Sequence, residues 1–345
     1  MLLGERIKSA RLRANLSLRA LAKRVGVSAQ AISKYERNLD IPSSSVLIRL
    51  SKELGVSSEF FLRPSIVSIT KPAYRCHPSR IYKRALINIK AQVQEWLERY
   101  ITIEKIVGEE QKFSLPNIVR RITKSEDVEN IAIELRKYWN LGLDAIPNLT
   151  ETLETLGIKV GFVQGEKHFD GLCLTANNKI PVIVIQENDK IPGDRQRLSL
   201  AHELAHLILE FPEDWKIKDV ERAAFRFAGA FLVPKPMVIK ELGAKRHSLN
   251  IDELHLLKHK YGMSMQAWVY RARDLKIIPE VAAIKLFREF RREGWHITEP
   301  GNPYPSESTS RLNRLVLRAL NERLINSQRA KELLGKSSDQ LTSSL

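Results

Sequence analysis

Apolar positions recur every three to four residues along most of the chain, the spacing that keeps one face of a helix dry. In the first 64 residues Leu3, Ile7, Ala10 and Leu12 set such a stripe, and Asn15-Leu16-Ser17 interrupts it. Ser17 and Ser28 each precede a new run, where a hydroxyl can satisfy a backbone N–H that the first helical turn leaves unpaired. They predict helices over Leu18–Val25 and Ala29–Arg37, with Gly26 as the exit of the first. Ser43–Leu54 and Ser57–Phe61 supply two more. Residues 65–78 hold two prolines and no period, which predicts a linker. Helical stripes resume at Arg80–Val107, Ser125–Trp139 and Ile146–Leu156.

The pattern then changes. Ile158–Val163, Gly171–Thr175 and Pro181–Ile185 are short strand-like runs, and Asn177-Asn178 suits a turn between the last two. Helical spacing returns over 195–210 and 219–232 and continues to the C-terminus, interrupted by the proline-rich Glu299–Ser306. The expected fold class is α+β. An all-α domain occupies 1–64 and a linker 65–78. A mostly helical domain with a small β-sheet occupies 79–235, and a helical region fills 236–345. Within that last region Leu312–Leu334 carries an apolar stripe suited to a dimerisation or substrate-docking helix pair, or to a lid on the core.

Charge narrows the choice of partner. Lys and Arg number 56 against 40 Asp and Glu, a net +16, which favours nucleic acid or another acidic partner. Residues 1–64 carry 12 of the basic side chains and only 5 acidic ones. Cys76 and Cys173 are the two cysteines, too few for a disulfide scaffold or a four-cysteine zinc site and in keeping with a reducing cytoplasm. No run approaches the roughly 18 apolar residues that a membrane span needs. The expectation is a cytoplasmic protein without a membrane partner.

Leu18–Arg37 has a helix-turn-helix layout. Ala22 is small where two helices must approach, Gly26 turns the chain, and Val27 and Ile32 fill the space between them. Ala29, Gln30, Ser33 and Lys34 then fall on the outer face of the second helix, where base edges would be met. Gln30 can pair with adenine, while Lys34, Arg37 and Asn38 can reach guanine or phosphate. These features, with Ile7–Arg11, Ile32–Glu36 and Leu50–Leu54, resemble the Cro/C1-type (XRE) helix-turn-helix family. The resemblance implies a double-stranded DNA operator. Leu18-Arg19 departs from the family, which often has a phosphate-contacting glutamine there.

A second motif carries different chemistry. His202-Glu203-Leu-Ala-His206 places two imidazoles on one helix face, one turn apart, so that both can bind a single Zn²⁺. Glu203 beside them can accept the proton of an attacking water. Apolar residues fill the neighbouring positions, so the helix would bury three polar side chains at a cost of several kcal/mol unless a metal satisfies them. A third ligand is required. Glu221, fifteen residues beyond His206, and nearby Asp219 both compete for that place.

The segment Glu221–Pro234 resembles the E-x-x-A-x-x-F-A-x-x-L-L-x-P run of the ImmA/IrrE family of zincin-like metallopeptidases, through Glu221, Ala224, Phe227, Ala228, Leu232 and Pro234. Asp170-Gly171, Val182–Ile185 and Asp194–Arg197 are similar too. That resemblance implies Glu221 as the third ligand, Zn²⁺ (or Mn²⁺) as the cofactor, and amide hydrolysis with Glu203 as general base. Phe225 departs from it, since the family commonly has Asn there. His168 is a candidate oxyanion donor, and the pair His255/His259, without a glutamate between its members, is expected on a solvated helix face. Together the two resemblances imply a DNA-binding regulator with a zinc endopeptidase domain. Its protein substrate would be a helix-turn-helix repressor of stress or mobile-element genes, and a homodimer is compatible with this. The competing expectation is a repressor or antitoxin-like regulator whose peptidase-like domain senses a ligand or partner and cleaves nothing.

Overall fold

The computed structural model describes residues 3–63, 66–70, 83–117, 120–163, 169–187 and 191–335. Cys76, His77 and His168 lie outside them.

The first five helices are α1 (Leu3–Arg13), α2 (Leu18–Val25), α3 (Ala29–Glu36), α4 (Ser44–Leu54) and α5 (Ser58–Leu62). Ser17, Ser28, Ser43 and Ser57 cap α2 to α5, each accepting a backbone N–H three residues on. Gly26 closes α2 at φ 72°, a left-handed conformation that a side chain disfavours. Ile7, Leu21, Val25, Ile32 and Leu50 form a small core of their own. The Arg11 guanidinium donates to the Glu36 carboxylate, both groups buried, and so ties α1 to α3.

Part of the stretch read as linker is structural. Ile69–Thr70 forms strand β1, and Val67 joins the core beneath the sheet. α6 (Lys83–Val107) follows, then a 3-10 turn at Ser125–Asp127, α7 (Val128–Tyr138) and α8 (Leu149–Thr155). The sheet is completed by β2 (Lys159–Val163), β3 (Gly171–Ala176) and β4 (Ile180–Gln186), in the order β1-β3-β4-β2. β3 and β4 form the expected antiparallel hairpin, in which Asn177 and Asn178 both take positive φ. β2 pairs with β4 in parallel, with Lys159 opposite Val182.

α9 (Gly193–Ile208) and α10 (Ile217–Leu232) pack against each other and bury most of their length. α11 (Lys235–Leu242), α12 (Ile251–Tyr261), α13 (Met265–Asp274) and α14 (Glu280–Arg292) extend the same core through Leu254, Trp268, Val269 and Phe290. The last pair, α15 (Arg311–Asn321) and α16 (Ser327–Leu334), lays Leu315, Val316 and Leu333 on Ile103 of α6. Part of their apolar stripe is therefore covered within the chain, while Leu317 and Leu324 stay exposed.

α6 also meets the N-terminal helices. Arg6 and Arg13 of α1 make ion pairs with its Glu98 and Glu95. No helix among the described residues is long and apolar enough to cross a membrane.

Candidate functional site

α9 brings His202, Glu203 and His206 into the interior, exposed by only 8%, 8% and 4%. Spacing of four puts the two imidazoles over one another, with Nε2 of each 3.2 Å from the other. Glu221 projects from the second turn of α10. Its carboxylate oxygens lie 3.2 Å from His202 Nε2 and 3.5 Å from His206 Nε2. Ligands about 2.1 Å from a tetrahedral zinc stand roughly 3.4 Å apart, and the two imidazole nitrogens, each facing a different oxygen of the Glu221 carboxylate, lie close to that spacing. Asp219, the competing candidate, is instead paired with Arg222 at 3.6 Å and stays outside the cluster.

The electrostatics agree. Burial raises the Glu221 carboxyl, but hydrogen bonds and charge from His202 and His206 outweigh it and hold the group well below the usual range. Burial lowers His202, only partly offset by Glu221. His206 is raised, because Glu221 and Glu203 together overcome its burial. The three groups are thus electrostatically coupled to one another.

Glu203 lies against the start of β3. A Cβ at Gly171 would come within 3.0 Å of the Glu203 side chain, which gives the Asp170-Gly171 motif a physical reason. Next to it, Arg195 of α9 pairs with Asp170 at 3.0 Å. Phe225 stands one helical turn beyond Glu221 and leans on the His202 ring, with centroids 4.1 Å apart, while remaining 51% exposed. Nδ1 of His202 and Nδ1 of His206 are buried without a hydrogen-bond partner among the described residues. Metal-binding imidazoles ordinarily donate from that second nitrogen, which fixes their orientation. Here ring stacking stands in its place at His202.

Beyond Phe225 opens a cleft of about 1130 Å³, walled by Leu198 and Arg222 on one side and Trp295 and Ile297 on another. Sequence periodicity gave no sign of it, because its far wall is the irregular segment after α14. That segment is pinned by buried carboxylates. Glu299 meets Lys258 at 3.1 Å, and Glu307 pairs with Arg197 and accepts from the backbone N–H of Leu149 and Thr150. His255 and His259 are half-buried beneath it rather than solvated, and His259 Nε2 sits 3.1 Å from the Asn302 carbonyl.

On α3, Gln30, Lys34 and Arg37 are exposed, and Ala29 and Ser33 are half-buried. Asn38 is committed elsewhere, since its Oδ1 accepts the Gly4 N–H at 2.8 Å. The missed residues here are Arg11 and Glu36. Their pairing spans 25 positions, and only their opposite charge hinted at it.

A helix-turn-helix unit followed by a buried His-Glu-His cluster on two packed helices defines a fused architecture. Comparison with known families agrees with it. Residues 7–61 match the helix-turn-helix family and residues 153–273 match the IrrE N-terminal-like domain. Over 73 residues the chain is 41% identical to Repressor protein C2 of Salmonella phage P22, covering 21% of this chain and 33% of that repressor. Over 65 residues it is 43% identical to an HTH-type transcriptional regulator of Mycobacterium tuberculosis, covering 19% and 46% of the two chains. A transcriptional regulator of Rhodospirillum rubrum is 40% identical over 58 residues, 17% of this chain and 54% of that protein. The matches thus span about a third to a half of these relatives.

Proposed function

We propose that the protein is a cytoplasmic DNA-binding regulator with a zinc-dependent endopeptidase centre, its domains divided as the sequence analysis expects. The observation that carries the catalytic half is the convergence of His202, His206 and Glu221, with Glu203 on the same helix as the two histidines. The DNA-binding half rests on the exposed face of α3 and on the likeness to regulators. The substrate is a helix-turn-helix repressor met at or near the operator.

His202, His206 and Glu221 would hold the metal, Zn²⁺ with Mn²⁺ as the alternative, and a bound ion there supplies Lewis acidity. Glu203 takes a proton from the attacking water and returns it to the leaving amine. Its burial keeps bulk water away from that transfer. The Gly171 backbone leaves room for the Glu203 side chain, and Phe225 limits the approach past His202.

A second reading has a specific observation behind it. Nδ1 of both imidazoles lacks a hydrogen-bond partner among the described residues, and Phe225 leans on one ring. Both features suit a site that senses a ligand or partner without cutting.

Metal analysis of the purified chain tests the shared premise, and less than about a tenth of an equivalent of zinc or manganese would sink both catalysis and metal binding. Incubation with neighbouring repressors, with and without operator DNA, then compares wild type with Glu203→Gln. The substitution is expected to slow cleavage by about 10²–10⁴-fold while metal content stays unchanged. Equal cleavage by both removes Glu203 as the base. Operator binding without any cleavage favours the sensing reading.

A further inference from the structure

A second cavity, of about 520 Å³, lies between the α11–α12 loop and the α13–α14 loop. Lys245, Arg246 and His247 line it from the first loop, and Arg273, Lys276 and Glu280 from the second. The two loops are stitched together, since the Arg246 N–H donates to the Ile277 carbonyl at 2.8 Å. Four permanent cations thus face one carboxylate.

They are not equivalent. Glu253 grips Arg246 through two hydrogen bonds of 2.8 and 3.0 Å, and Asp274 holds Arg273 at 2.9 Å. Both guanidinium groups are thereby fixed in place. Lys245 and Lys276 are exposed and have no ion pair among the described residues. Both line the same cavity from opposite loops, so an anion between the loops would meet two unpaired ammonium groups. Pro279, exposed at the mouth, gives the cavity an apolar wall, while Ile277 and Ile278 are buried in the core behind it. The first turn of α14 has no side-chain cap, so its free N–H groups add positive potential at the same place.

We propose that this cavity binds a nucleoside phosphate, with the phosphate held by Lys245 and Lys276 and the base against Pro279. The volume falls within the range of small-molecule sites. The cavity also touches the metal-bearing helix through a short route. The Asp274 carbonyl accepts from Arg226 at 3.3 Å, and Arg226 stands on α10 five positions after Glu221. This inference stands whether or not the metal centre cuts peptides.

The test is calorimetric titration of the full-length protein at low salt with AMP, ATP and inorganic phosphate, and separately with a short non-specific DNA duplex. One saturable nucleotide site is expected, weakened at least about tenfold in Lys245→Glu/Lys276→Glu and unaffected by Lys34→Glu on α3. Both lysines are exposed, so the variant should melt as wild type does, and Lys245→Ala serves if it does not. Phosphate should bind more weakly than AMP; equal affinity would overturn the role given to the apolar wall. No saturation by about 10 mM nucleotide, or unchanged affinity in the variant, would overturn the site. If the variant loses only duplex affinity while nucleotides never bind wild type, the cavity is a DNA-backbone contact and the proposal is wrong.

Discussion

The face of α3 and the metal centre both depend on a few polar side chains, but they keep them in opposite conditions. Gln30, Lys34 and Arg37 are exposed, whereas His202, Glu203 and His206 are almost wholly buried. An exposed reader costs the fold nothing, so its residues can change without changing stability. A buried cluster must be satisfied by partners, so its residues serve the fold and the chemistry together. The polar residues that matter for the fold of the first region are elsewhere, at Arg11 and Glu36. Function and stability are separable in the N-terminal helices and entangled in the metal centre.

The strongest challenge to this contrast is Glu36→Ala. It leaves the Arg11 guanidinium buried without its carboxylate, which should cost about 3–5 kcal/mol of helix-turn-helix stability. Operator binding should fall only because the fold is lost, so affinity should return on cooling or with a stabilising osmolyte. Thermal melts monitored beside DNA binding check this. Normal stability with lost affinity would place Glu36 at the DNA and break the separation.

Next in size is His206→Ala. Removing one of three ligands should lower metal affinity by at least about 100-fold, measured by competition with a chromophoric chelator. The contrast holds if the metal-free variant is also less stable than metal-free wild type. The substitution leaves a cavity and removes the ring nitrogen that lies 3.5 Å from the Glu221 carboxylate, so stability and metal affinity should fall together. Unchanged metal binding would exclude the cluster as the site.

How much of this could be read in the sequence follows the same division. The caps at Ser17 and Ser28 and the exit at Gly26 are local signals, decided within three or four residues, and were legible at once. Ser43 and Ser57 read as the first helical residues and prove to be caps as well. The His-Glu-x-x-His spacing is local too, which is why two proposed ligands and the proposed base could be picked out in the sequence. The third ligand could not be separated from Asp219 by spacing, because the choice depends on how α10 rotates against α9. Long-range pairing was opaque. Arg136, Arg197 and Arg271 look like surface residues, yet all three are buried. Arg136 donates to the Phe231 carbonyl at 2.7 Å and Arg197 to the Ile146 carbonyl at 2.8 Å, across 95 and 51 positions. A buried guanidinium needs acceptors that no periodicity announces. The same holds for β1, whose two residues are a strand only because Thr175 and Ala176 offer an edge.

Lys34→Ala is the smaller test of the exposed region. Loss of one contact on α3 should weaken operator binding about tenfold without moving the melting temperature. If Lys34 meets phosphate, the slope of log affinity against log salt should fall by about one unit, equally for specific and random DNA. If it meets guanine, the loss should concentrate on one base position. A shift in melting temperature comparable to the loss in affinity would show that the exposed face also supports the fold.

The smallest expected effect concerns α6, the helix that touches both regions through Glu98 at one place and Tyr100 and Glu104 at another. Tyr100 donates to Glu154 at 2.9 Å, and the other Glu154 oxygen is buried without a partner among the described residues. Burial pushes the Glu154 carboxyl up to about 7, against the pull of Tyr100, Arg311 and Lys159. In the unfolded chain this group loses its proton near its ordinary value of 4.5, so between there and about 7 the folded state holds a proton that the unfolded state has released. Stability from this group is therefore intact below pH 4.5, falls as pH rises, and is at its lowest above about 7. Glu154→Gln cannot ionise and keeps an acceptor for Tyr100, so it should gain about 1 kcal/mol over wild type at pH 8 and lose that advantage by pH 5. Denaturant melts of the two proteins across that range measure the difference directly. Parallel curves would mean that Glu154 is charged throughout, and that the bridge between the reader and the metal centre carries a satisfied ion pair instead.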